Sequence, residues 1–164
     1  MRLTPAYEIE KRIGQLQNLM ASVNLDAVLV MQSADLFYLS GTFQNAFLFI
    51  PREGKPVLLV RRLLQRALDL SPLKKIMPLG SLRELPSILK ENGLKEGCTL
   101  GLELDVLPVS FYSKIKGLFS QMTLADCSRI IREMRAIKSP YELEIIQDVA
   151  AMMMEAFKVL PGLI

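Results

Sequence analysis

Glu103 and Asp105 are the residues whose type and spacing best suit chemistry. They stand two apart at the carboxyl end of Thr99–Leu104, a stretch that reads as a strand, and ligands of open α/β sheets gather at that end. Two carboxylates on one strand hold a hard cation only when further oxygen ligands join them. The sequence places none beside them, and the plainer expectation is that the pair faces solvent or caps the next helix. Ser33, Ser40 and Ser110 have no histidine to serve as base, because the chain contains none. That absence excludes Ser-His-Asp and Cys-His arrangements and every histidine-containing metal site. Cys98 and Cys127 are far apart and in no ligand spacing, so two reduced thiols in a reducing cytoplasm are expected. No cluster of glycines builds a phosphate loop. Gly101, inside the strand before Glu103, marks close backbone approach. No catalytic constellation can be assembled from these residues.

The elements that must carry these groups follow from periodicity. Thr4-Pro5 opens a helix whose face is Ile9, Ile13, Leu16, Met20 and Val23, and Asp26–Met31 is a strand apolar on both faces. A helix leading into such a strand implies an α/β layer fold. Gln32–Asp35 turns the chain, with Ser33 or Asp35 as cap of a short helix that Gly41 ends. Ala46–Ile50 and Pro56–Val60, linked by five residues containing Gly54, form an antiparallel hairpin. Arg61–Leu70 is expected to be helical, with Leu63, Leu64, Ala67 and Leu68 inward. Lys75–Met77 is a short strand, Leu82–Glu91 a helix that Pro86 shortens or kinks, and Val109–Phe119 a helix. Met122–Ala125 is the last strand, and Asp126-Cys127-Ser128 caps a helix to about Ala136. The prediction is a three-layer α/β fold: about six strands in one mixed sheet, with helices on both faces.

Composition narrows the partners. The chain has 164 residues, enough for one sizeable core, and its net charge is only +3. Arg61, Arg62 and Arg66, like Arg129, Arg132 and Arg135, read as solvated helix faces without interleaved aromatics, so no nucleic-acid partner is expected. No apolar run is long enough to span a bilayer, so no membrane partner is expected either. Gly41–Asn45 reads as an exposed loop.

The final helix is unusual. Ser139, Pro140 and Glu142 spell a capping box with proline at the first helical position. Leu143, Ile146, Ala150, Met153, Phe157 and Leu160 form one apolar stripe. A second runs through Ile145, Val149, Met152, Ala156 and Val159. Together they span an arc of roughly 200°, twice what a one-sided surface helix needs. Such a helix should be covered on two sides, and the expectation is that it leads into a domain beyond this chain. Leu160-Pro161-Gly162-Leu163-Ile164 then ends it.

Arg135-x-Ile-Lys-Ser-Pro-x-Glu-Leu, continuing to Ala150, resembles the junction segment of the creatinase, aminopeptidase P and prolidase family. Further stretches match that family's N-terminal domain in order: the first helix with Arg12 and Leu16, Leu25–Val30, Tyr38-Leu-Ser-Gly41, Val57–Val60 and Leu100-Gly-Leu-Glu103. The resemblance implies a six-stranded mixed sheet over residues 1–138, with 139–164 as a junction helix. Pro161-Gly162 resembles the Pro-Gly early in a "pita-bread" metallopeptidase domain. That domain would hold two divalent ions (manganese, cobalt or zinc) on aspartates, a histidine and glutamates, all downstream of this chain. No metal or catalytic residue is therefore assigned here. The resemblance implies an inert N-terminal domain of an X-Pro dipeptidase or aminopeptidase, a homodimer, with peptide as the parent's substrate. Phe43, Gln44 and Asn45 correspond to the loop at the active-site mouth. Catalytically inactive relatives of the same architecture serve interaction, as in a histone-chaperone subunit, so a peptide- or protein-binding module is the alternative. A self-contained α/β domain requires the last helix to be covered within the chain.

Overall fold

A computed structural model describes residues 3–159. The chain divides into two compact units, residues 1–134 and 135–164. In the first, helix α1 (Ala6–Ser22) precedes strand β1 (Ala27–Val30), and α2 (Ser33–Ser40) precedes β2 (Ala46–Pro51) and β3 (Val57–Val60). Next come α3 (Leu64–Leu70), β4 (Ile76–Pro78), a 3-10 turn at Leu82–Glu84 and α4 (Leu85–Glu91). Strand β5 (Thr99–Leu102), α5 (Val109–Leu118), β6 (Thr123–Asp126) and α6 (Ser128–Ala136) follow.

The sheet order is β4-β3-β2-β1-β5-β6. β2 is antiparallel to both β1 and β3, whereas β1–β5, β5–β6 and β3–β4 are parallel. The expected mixed sheet and hairpin are therefore present. Alternation along each strand divides the core. Val28, Val30, Leu48 and Ile50 pack on one face against Ile9, Leu16 and Met20 of α1, with Leu36 and Leu39 of α2 and Ile131 of α6. Ala27, Leu29, Phe47 and Phe49 pack on the other against Leu85 and Leu89 of α4 and Ile115 of α5.

Several local expectations are corrected. α2 is capped by Gln32, whose Oε1 accepts from Asp35 N at 2.8 Å, not by Ser33 or Asp35. Gln32 is the last extended residue before the helix, so Ser33 and Asp35 already lie inside its first turn. α3 starts at Leu64 because Leu63 adopts a left-handed φ of 59°, which no helix interior admits. Leu63 and Leu68 are exposed, and Ala67 alone of that turn is fully buried. Pro86 sits in the first turn of α4, and the preceding turn winds as 3-10. Asp126 Oδ1 accepts from Ser128 N at 3.0 Å and so caps α6 as expected.

A buried ion pair within α1 reaches across to α2 through its arginine. Arg12 lies beside Glu8 at 3.2 Å, donates to the Tyr38 carbonyl at 2.8 Å and stacks 4.0 Å above the Tyr38 ring. Because Arg12 and Glu8 are both buried, removing either would strand a charge without solvent.

In the second unit, α7 (Pro140–Val159) starts with the predicted capping box: Glu142 N donates to Ser139 Oγ at 3.2 Å, and Ser139 N to Glu142 Oε2 at 2.8 Å. Among the described residues the apolar stripes of α7 are largely open, with Ile146 and Val149 about half exposed and Met152 and Phe157 more so. The stop signal from Leu160 to Ile164, including Pro161-Gly162, lies outside the described residues.

Gly101 is hemmed in by neighbouring side chains rather than by another stretch of backbone. A Cβ there would lie 2.9 Å from Val28 Cγ1, 3.0 Å from Cys127 Cβ and 3.1 Å from Leu25 Cδ1. Gly101→Ala should cost about 1–3 kcal/mol in urea unfolding, the range for overpacking a rigid core. Gly117→Ala, where nothing lies within 4 Å in α5, should be neutral or stabilising by up to about 1 kcal/mol.

Candidate functional site

The carboxyl ends of β1, β3 and β5 and the amino end of β2 meet along one edge of the sheet. Parallel neighbours β1 and β5 feed segments that leave in different directions, which opens a crevice between them. A cavity of about 450 Å³ lies there. Met31 and Ser33 reach it from the end of β1, and Arg61 from the end of β3. Leu107, Pro108 and Phe111 reach it from beyond β5, and Phe43–Phe47 close the remaining side.

The three mouth residues of the sequence analysis all line this cavity, in different roles. Phe43 is 48% exposed and is held by the Phe37 ring, 6.2 Å away, and by the Arg66 guanidinium, 5.4 Å from its ring centroid. Asn45 is exposed, and its carbonyl accepts from Arg61 N at 2.8 Å. Gln44 is turned inward and only 7% exposed, and its Nε2 is buried without a hydrogen-bond partner. Gly41 starts this loop in the left-handed region at φ 74°, and a Cβ there would press on Pro72 at 3.3 Å. The Ser71 hydroxyl donates to the Ser40 carbonyl, pinning the loop's base.

Glu103 and Asp105 part company. Asp105 pairs with Arg132 at 2.5 Å on the surface. Glu103 neither faces solvent nor caps a helix through its first-turn amides: it is 1% exposed, and its Oε2 accepts from Met31 N at 2.7 Å and Gln32 N at 2.9 Å. Those amides follow β1, where no strand can bond them, so Glu103 fixes the segment that floors the cavity. Its Oε1 finds no donor in the protein. The group within reach is the Asp35 carboxyl, which completes a bond only when a proton lies between the two. Burial pushes the Glu103 carboxyl up to about 8 and the Asp35 neighbour adds to this, against the pull of the two amides. The pair is thus a proton-sharing strut. Among the described residues no group of acidic or cysteine side chains could hold a metal ion.

The remaining nucleophile candidates are structural. Burial and nearby acidic groups push the Cys127 thiol far up, and both cysteines are free. The Ser40 hydroxyl donates to the Leu36 carbonyl. Three Ser-x-x-Lys spacings that sequence reasoning passed over, at Ser71, Ser87 and Ser113, are likewise taken up by carbonyls of Ser40, Glu84 and Val109. Sequence reasoning also missed Arg61 as a cavity residue, having placed it on a helix face; its position after a strand parallel to β1 was the available signal.

The Creatinase/Prolidase N-terminal domain family matches residues 12–137. The chain belongs to this family. Solved structures share its fold: an Xaa-Pro dipeptidase from Bacillus anthracis has a TM-score of 0.84 at 21% identity, over 95% of this chain and 44% of that one. The prolidase from Pyrococcus horikoshii OT3 gives 0.79 at 24% identity, over 94% and 43%. The N-terminal domain of the cytoplasmic peptidase PepQ from Mycobacterium tuberculosis H37Rv gives 0.67 at 23% identity, over 76% of this chain and 98% of that one. The chain thus spans less than half the length of the two longer enzymes. No curated protein sequence matches it. Among the described residues no helix is long and apolar enough to cross a membrane.

The Glu103 strut gives the creatinase/prolidase-type domain a defined pH dependence. The folded-state carboxyl sits near 8 against an ordinary 4.5, so folding retains a proton that the unfolded chain releases. The contribution is full below about 4.5, declines as pH rises and levels off above about 8. Thermal unfolding across that window should show this decline, and Glu103→Gln should flatten it. Glutamine can still accept from Met31 and Gln32 and donate to Asp35 without ionising.

Proposed function

We propose that this chain is the non-catalytic N-terminal domain of a metal-dependent X-Pro dipeptidase or aminopeptidase. The observation that carries the reading is the alignment of 95% of this chain with 44% of a dipeptidase. The exposed apolar arc on α7 supports it, because an uncovered face of that width is uncommon on a finished surface. Residues 1–138 form the accessory domain and 139–164 the junction into a downstream catalytic domain. Two divalent ions there, manganese, cobalt or zinc, would supply an activated water and stabilise developing charge. This chain's own part is to bind and orient: Phe43, Gln44 and Asn45 shape the mouth through which a peptide enters, and the domain contributes to a homodimer. A reducing cytoplasm suits the two free thiols.

The full-length protein should hydrolyse X-Pro dipeptides when supplied with manganese or cobalt, and the 164-residue chain should not. In the full-length protein Phe43→Ala and Asn45→Ala should raise KM several-fold, roughly 1 kcal/mol of lost binding, with kcat little changed. An unchanged KM in both variants would remove these residues from the mouth. By itself the chain should self-associate in light scattering, and Ile146→Glu with Met153→Glu should restore the monomer, since both positions are half open and tolerate charge. A monomeric wild-type chain at high concentration would count against an uncovered docking face.

A further inference from the structure

We infer that the cavity between the ends of β1 and β5 is a binding site for a small monoanion: a carboxylate carried on an aromatic or aliphatic body. It goes beyond the mouth reading, because the cavity lies wholly within one unit and needs no downstream domain to exist. Four observations on the walls point the same way. The volume, about 450 Å³, falls within the range of small-molecule sites. Arg61 is the one charged residue on the lining, and it is exposed without a carboxylate partner among the described residues. No acidic side chain lines the cavity.

The third observation is Gln44. It lines the cavity, is 93% buried and has a carboxamide nitrogen with no partner. A buried amide left unpaired is disfavoured in a finished protein, and each such group calls for a missing partner. A carboxylate or carbonyl oxygen would be that partner once the amide turns to meet it. The exposed Asn45 carboxamide beside it adds a further donor. The fourth is the apolar part of the wall. Phe47 and Phe111 stack with centroids 6.0 Å apart and planes 14° apart, next to Met31, and present a flat surface to an aromatic or branched body. One guanidinium and two carboxamides match a single negative charge, whereas a phosphate dianion would ask for more cationic donors.

The test uses the 164-residue chain in 15N-resolved NMR titrations with N-acetyl-L-phenylalanine and with its C-terminal amide, which has the same body and no charge. The acid should give saturable shifts centred on the Gln44 side-chain amide and the backbone of residues 43–47 and 111. Its affinity should exceed that of the amide by about tenfold, the value of one charge-assisted contact. Arg61→Gln, at an exposed position that leaves folding intact, should bring the acid down to the affinity of the amide. Equal affinities for acid and amide, an unaffected Arg61→Gln protein, shifts centred elsewhere or no saturation by about 20 mM would each overturn the inference. Failure here leaves the peptidase reading to stand or fall on turnover by the full-length protein.

Discussion

Two backbone amides leave the sheet at the end of β1 with no strand to receive them. Glu103, at the end of the neighbouring parallel strand, accepts from both. Without that carboxyl group the start of α2 and the floor of the cavity would carry buried donors with no acceptor, a cost of about 1–3 kcal/mol each. The arrangement is possible only because β1 and β5 run parallel and adjacent, which brings residues more than seventy positions apart to the same height. Burial then holds a proton on the strut and Asp35 adds to this, so a bond that looks structural is also electrostatic.

The loop that closes the cavity is anchored at its two ends, with Phe43 between them packed by Phe37 and Arg66. Gly41 takes the chain out of α2 in a left-handed turn, and the Ser71 hydroxyl fixes the carbonyl just before it. The register of β2 with β3 fixes the other end, where Ala46 faces Val60. Phe43 and Asn45 between these anchors point to solvent, while Gln44 points in. Three consecutive side chains therefore divide into rim and interior.

α7 poses a different problem. Its start is self-sufficient, since the Ser139–Glu142 box satisfies the free amides locally. Its flanks are not, because burying apolar area is what stabilises most protein helices, and here, among the described residues, both stripes largely meet water. The two compact units thus differ in kind: one has a core on each face of a sheet, the other a helix whose apolar surface exceeds what its own residues cover.

The amino-acid sequence by itself determined the elements and the layer order of this protein. Continuous apolar strands and 3.6-residue stripes leave few ways to bury both faces, and Gly41, Gly54 and the Ser139–Glu142 box act over a few residues, within reach of local chemistry. Gly101 was likewise legible as a close approach, because a glycine inside a buried strand has few other uses. The candidate site was legible only as a loop. Which of Phe43, Gln44 and Asn45 turned inward, that Arg61 stands at the rim, and that Glu103 is buried beside Asp35 depend on strand pairing across tens of residues. Capping by Gln32 and the left-handed Leu63 also escaped, since glutamine is an uncommon cap and leucine seldom adopts a positive φ. A carboxylate two residues from another looks like a pair in sequence. β5 ends at Leu102 and the chain turns between the two, which sends one to a surface arginine and the other into the core, and only the folded sheet could decide that.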